Sequence, residues 1–259
     1  MDNQHLLTHI ESGVMRLTLN RPEALNAFSP EMITGLMDSI KEAKENQDVK
    51  VIVINGAGRA FSSGGDVKTM GKASGVEVYE HIGKLNDLIL EIQSLEKPVV
   101  AAVHGFAAGA GFNLALACDL IVAADDSKFV LSFAQVGLIS DGGGLYFLPK
   151  VLGPYRAKEL LFSAKPIEAK KAKEWGIVNE IVPLEELEAT LEVFANQLAN
   201  GPTRAIGLMK KIVDEAATMT LEDILKREQI TQTLMVTTDD HLEGVQAFVE
   251  KRKAKFTGK

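Results

Sequence analysis

The apolar run Val51-Ile52-Val53-Ile54 leads, after a short link, to Phe61-Ser62-Ser63-Gly64-Gly65-Asp66, and the same order recurs where Val99-Val100-Ala101-Ala102-Val103 gives way to the glycines between Gly105 and Gly111. Short continuous apolar runs bounded by turn residues read as strands covered on both faces. Glycines at their ends permit turns and bare backbone N–H groups. Two such donors converging on one point make a hole for an oxygen that becomes negative, usually the largest electrostatic contribution an active site supplies.

Outward from these two turns the chain alternates strand and helix. Leu6 to Leu19 contains alternating segments such as Val14-Met15-Arg16-Leu17-Thr18-Leu19 and predicts a strand or hairpin. Ser29-Pro30 signals a helix start, and Ile33, Leu36, Met37 and Ile40 follow at helical spacing. A helix over Glu77 to Leu95 separates the two buried strands, the pattern of a right-handed βαβ layout. Asp119 to Ala124 and Lys128 to Ser132 continue it, ahead of a third glycine cluster, Asp141-Gly142-Gly143-Gly144. After Pro154 the reading is helical: Tyr155 to Phe162, Ile167 to Trp175, Leu184 to Leu198, Thr203 to Ala217, Leu221 to Val236 and Asp239 to Lys255. The expected organisation is a core over residues 1–198 and a helical C-terminal region over 199–259.

Composition narrows the function classes. The 259 residues are 46% apolar, enough for a large core, and no apolar stretch approaches the roughly 20 residues that cross a bilayer. The start Met1-Asp2-Asn3-Gln4-His5 has no basic or apolar leader segment, so a cytoplasmic protein without membrane attachment is expected. The single cysteine, Cys118, sits in an apolar run and reads as packing, and the five histidines show no metal-ligand spacing. A formal net charge of −7 works against a polyanion-binding surface and against a nucleic-acid partner.

A helix opening at Gly109-Ala110-Gly111 aims unpaired N–H groups at an anion or oxyanion. The Ala110 N–H is the first expected donor and the Gly65 N–H, in the other turn, the second. Glycines in either turn also serve close helix–strand packing. A Walker phosphate loop is absent, and so is the dinucleotide pattern Gly-x-Gly-x-x-Gly after a strand.

Taken in order, Leu19-Asn20-Arg21-Pro22-Glu23-Ala24-Leu25-Asn26-Ala27, Ala60 to Asp66, Val103-His104-Gly105, Ala117-Cys118-Asp119-Leu120 and Ala247-Phe248-Val249-Glu250-Lys251-Arg252 resemble the crotonase, or enoyl-CoA hydratase/isomerase, superfamily nearly end to end. The resemblance implies an α/β fold: a spiral of repeated ββα units with a helical C-terminal trimerisation region, assembled as a homotrimer or a dimer of trimers. It implies an acyl-CoA thioester substrate and no separate cofactor, the coenzyme A being part of the substrate. The thioester carbonyl would lie between the N–H groups of Gly65 and Ala110. Ala24, Leu25, Ser63, Gly65, Asp66, Val67, Lys68 and Ala110 would line the CoA path, with Phe248 and Lys251 as late contacts.

Hydrating members of the family activate water with two glutamates, and this chain places Asn113 and Phe133 at those positions. An amide is no general base at neutral pH and a phenyl ring exchanges no protons. One carboxylate remains, Asp141, where the sequence resembles members carrying a catalytic aspartate, among them the ring-epoxide isomerases of phenylacetyl-CoA breakdown. The expectation is an enoyl-CoA isomerase, of a double bond or a ring, with Asp141 as proton shuttle. The alternatives are a 2-enoyl-CoA hydratase using Asp141 with water, and a non-catalytic acyl-CoA- or RNA-binding relative.

Overall fold

The computed structural model of the chain describes residues 5–66 and 73–259. Its large sheet has six strands in the order β1-β2-β3-β4-β6-β9: β1 (Leu6–Glu11), β2 (Val14–Leu19), β3 (Val51–Gly56), β4 (Val99–Val103), β6 (Leu120–Ala124) and β9 (Glu180–Val182). β1 and β2 form the expected hairpin, with Leu6 opposite Leu19, and every later pairing is parallel. A second sheet contains β5 (Phe106–Ala108), β7 (Lys128–Val130) and β8 (Ile167–Glu168).

Alternation between the two sheets produces the repeat. β4 joins the large sheet, β5 the small one, and helix α3 (Ala110–Ala117) closes the unit. β3 is followed in the same way by Ser62, bridged in parallel to Ala107 of β5, and then by helix α2 (Gly75–Ser94). β6 and β7 repeat the step before helices α4 (Gly144–Leu152) and α5 (Pro154–Ser163).

The central strands are apolar on both sides because both sides are covered. Ile52 and Ile54 of β3 pack into the main core with helix α1 (Pro30–Glu45) and α2, through Met32, Leu36, Ile40, Leu88 and Ile92. Val51 and Val53 point the other way, onto Leu187, Leu191 and Ala195 at and within helix α7 (Leu187–Ala199). The Ser29 Oγ caps α1 by accepting from the Met32 N–H at 3.1 Å.

Several boundaries differ from the sequence reading. α2 begins before Glu77 because Ser74 and Glu77 form a reciprocal capping box, ahead of exposed Val76 and Tyr79, which blur the helical period. α4 was not expected: three glycines and the internal Pro149 hide a helix that buries Leu148. Ile167 and Glu168 do not open a helix but pair with Phe129 and Lys128 as β8, and helix α6 covers only Ala169–Glu174. β5 lies inside what reads as one glycine turn, and β9 inside an unassigned segment.

Beyond α7, the chain forms α8 (Thr203–Ala216), α9 (Leu221–Met235) and α10 (Asp239–Glu250). α10 ends at Glu250 rather than Lys255, since Lys251 takes a φ of +54° and Arg252 folds back to Glu243 at 2.6 Å. α8 is tied to the core by Lys210, whose Nζ lies 3.0 Å from Asp119 and donates to the Ile92 carbonyl at 2.9 Å. Burial raises the Asp119 carboxyl and Lys210 opposes that rise.

Candidate active site

β3 and β4 are parallel neighbours, so the turns that follow them leave the same end of the sheet. They run side by side there: the Phe61 N–H donates to His104 O at 2.9 Å, Ser62 N–H to Phe106 O at 3.1 Å, and Ala108 N–H back to Ser62 O at 2.8 Å. At Gly64 the approach becomes too close for a side chain. Its φ is +81°, and a Cβ there would stand 2.7 Å from the Ala110 nitrogen and 2.5 Å from the Ala108 oxygen.

Gly109, with φ +52°, turns the second segment into α3, and the first intrahelical bond runs from the Asn113 N–H to Gly109 O at 3.1 Å. Among the described residues, neither the Ala110 N–H nor the Gly65 N–H has a protein acceptor. Both sequence-predicted donors are therefore free, one at the positive end of a helix. The Phe133 ring is buried beside them, 3.6 Å from where a Gly109 Cβ would stand. It forms an apolar wall against the Gly109 turn.

An asparagine that the sequence reading passed over holds the first turn. Asn26 is fully buried at φ +54°. Its Nδ2 donates to the carbonyls of Ala57 and Ala60, each at 2.8 Å, and its Oδ1 accepts from the Arg21 N–H at 2.9 Å. The Ser62 Oγ donates to Asn26 O at 2.8 Å and accepts from the Gly64 N–H at 3.1 Å, so the web reaches the residue before Gly65. The available signal was a polar residue inside the apolar segment Leu25-Asn26-Ala27-Phe28.

The same web brings other expected residues together. The Ser63 N–H donates to Leu25 O at 2.8 Å and its Oγ to Ala24 O at 3.3 Å, placing Ala24 and Leu25 against the turn. Asp66 lies 3.5 Å from Arg21. Val67 and Lys68 fall outside the described residues. Phe248 and Lys251 are not gathered in: Phe248 is 86% exposed and lines a groove with α8 and α9.

Asp141 approaches from the third glycine cluster. Gly142 and Gly143, with φ of +52° and +84°, turn the chain into α4 directly after it. The Asp141 carbonyl accepts from Asn113 Nδ2 at 2.8 Å, and Asn113 sits one helical turn beyond Ala110 on α3. Asp141 is thus hydrogen-bonded to the helix whose first residue bears the free Ala110 N–H. The Asp141 Oδ1 is buried and has no hydrogen-bond partner among the described residues. Burial pushes the carboxyl up from the ordinary 3.8 to about 6, with its own backbone amide pulling the other way. Cys118, by contrast, is an inert packing group: it is buried, and burial raises its thiol.

Two amides without a protein acceptor among the described residues, an apolar ring and one desolvated acid can together stabilise an anion and exchange a proton. The family model described as Enoyl-CoA hydratase/isomerase matches residues 9–259. The chain belongs to this family. It is 40% identical to the 1,2-epoxyphenylacetyl-CoA isomerase of Escherichia coli K12, over 99% of each chain. It is 34% identical to the trans-2-decenoyl-[acyl-carrier-protein] isomerase of Streptococcus mutans over the full length of both. The crystal structure of an enoyl-CoA hydratase from Bacillus anthracis superposes with a TM-score of 0.95 at 30% identity, covering 99% of this chain and 100% of that one. The two-sheet spiral is the crotonase fold, and the chain is an enzyme of the enoyl-CoA hydratase/isomerase family.

Proposed function

We propose that this enzyme isomerises acyl-CoA thioesters by relocating a proton, with Asp141 as the single base and acid. The observation that carries the reading is the unpartnered, buried Asp141 Oδ1, linked through Asn113 to the helix that bears the free Ala110 N–H. An α-proton of a thioester is too weakly acidic for a carboxylate in water. Two preorganised N–H donors lower that barrier by taking up the enolate charge. On a 3-enoyl-CoA, the Asp141 carboxylate takes a proton from C2, and the C2–H electron pair delocalises into a dienolate whose oxygen rests on Gly65 and Ala110. The protonated Asp141 then returns the same proton to C4, leaving a 2-enoyl-CoA and a carboxylate. Nothing is consumed.

Hydration needs a water held and split beside the double bond. Asn113 is committed by its amide to Ser140 and Asp141, and Phe133 offers no polar atom. That arrangement favours isomerisation over hydration. Names of the relatives extend the substrate choice to a ring thioester, as for the Escherichia coli isomerase. We also infer that Ala24, Leu25, Ser63 and Asp66 flank the path of the CoA moiety, and that the chain works as a homotrimer or a dimer of trimers.

A panel of 3-enoyl-, 2-enoyl- and aromatic-ring CoA thioesters, followed through the conjugated thioester absorbance, tests the reading. The expected outcome is gain of conjugation from 3-enoyl-CoA at a rate at least tenfold above its loss from 2-enoyl-CoA by hydration. Comparable rates would make the enzyme a hydratase, and binding without turnover would make it a binding protein.

A further inference from the structure

We propose that Asn113 is the positioning residue of this active site: its side-chain amide sets the distance between the proton-transferring loop and the oxyanion donor. The inference rests on Asp141 being the base. Asn113 is fully buried in a helix that is otherwise apolar from Ala110 to Ala117. Its Nδ2 spends both hydrogens on one loop, donating to the Ser140 Oγ at 3.0 Å and to the Asp141 carbonyl at 2.8 Å. Ala110 lies three residues earlier on the same helix, about 4.5 Å along its axis. Asn113 therefore connects the two halves of the chemistry through a single rigid element.

The other end of the amide shows why the residue is retained. Asn113 Oδ1 is buried and has no hydrogen-bond partner among the described residues, which is an unfavourable state for a buried acceptor. It abuts the Cα side of Gly144, where a Cβ would collide with both Asn113 Oδ1 and Ser140 Oγ. A group kept for packing alone would be apolar here. What an apolar residue lacks is the pair of donors facing the loop. A carboxylate lacks them too, and adds a second negative charge beside Asp141. Among the described residues, burial and its own amide are what act on the Asp141 carboxyl, with no charged side chain beside them. An ionised neighbour would thus be felt in full.

Three variants, assayed on a 3-enoyl-CoA across pH, test the proposal. Asn113→Leu removes the donors at similar volume; kcat is expected to fall about 10- to 100-fold with KM within twofold, as for a misplaced catalytic group. Asn113→Asp keeps the shape and adds a carboxylate; the acidic limb of the kcat profile is expected to move upward by about one pH unit or more, since a like charge disfavours ionisation of Asp141. Asp141→Asn is the control. If it keeps full activity, the assignment of Asp141 as base fails. If it is inactive while Asn113→Leu turns over like the wild type and Asn113→Asp has an unmoved limb, the positioning role alone is overturned. Should Asn113→Leu not fold, Asn113→Asp decides: an unmoved limb overturns the proposal.

Discussion

Asp141 combines two properties that ordinary surface carboxylates lack: a buried oxygen without a donor and a carboxyl raised to about 6. A folded-state value above the unfolded one means that the ionised group opposes folding. The contribution to stability is fully present below the unfolded value near 3.8 and is lost as pH rises through about 6. Asp141→Asn should therefore raise the melting temperature at pH 7 and leave it nearly unchanged at pH 4, with a gain bounded by on the order of 3 kcal/mol. Thermal unfolding at the two pH values checks this, and an equal shift at both would contradict it. Asp141 could be singled out in the sequence as the carboxylate that opens the third glycine cluster, where the resemblance places an aspartate. Asn26 could not be, because all its partners but the nearby Arg21 lie 31 to 36 residues away, at Ala57, Ala60, Phe61 and Ser62, and only the fold brings them to it.

At the scale of elements, the two buried strands and their turns could be read directly because four or five consecutive apolar residues followed by glycine have few other solutions. α4 could not, since its glycine-rich start and Pro149 both argue locally against a helix. The short strands β5, β8 and β9 of two or three residues carry too little pattern to be seen. That the two turns meet was expected from the sequence, but how closely they approach was not, and that closeness fixes Gly64. Gly64→Ala places a Cβ 2.7 Å from the Ala110 nitrogen at a φ of +81°. The substitution should push the turns apart and lower kcat by about 100-fold or more, the scale of losing one oxyanion donor. Kinetics on a 3-enoyl-CoA, with far-UV circular dichroism to verify folding, measures it; wild-type kcat would show that the approach is not used.

For the molecule as a whole, the spiral core closes around its own apolar strands, while the C-terminal helices do not. α8, α9 and α10 leave a groove of about 1030 Å³ between them, with Met209, Leu225, Val245, Phe248 and Val249 each more than half exposed. Contiguous apolar surface of this kind is what the inferred assembly would cover. Sedimentation of the purified protein should give roughly three or six times the mass of the chain, and a monomer at micromolar concentration would contradict the inferred assembly. The isolated chain gathers Ala24, Leu25, Ser63, Gly65 and Ala110 around the turns but leaves Phe248 on the groove and Lys251 at the end of α10, a separation that motif order alone does not show.

The claim on which the rest depends is that paired amides hold an enolate while Asp141 moves its proton. Its most direct measurement is exchange of the α-hydrogen of an acyl-CoA with deuterium from solvent, followed by NMR or mass spectrometry in the wild type and in Asp141→Asn. The account predicts exchange by the wild type, and in Asp141→Asn a rate lower by about 100-fold or more with unchanged thioester affinity. Exchange at the wild-type rate in that variant would contradict it.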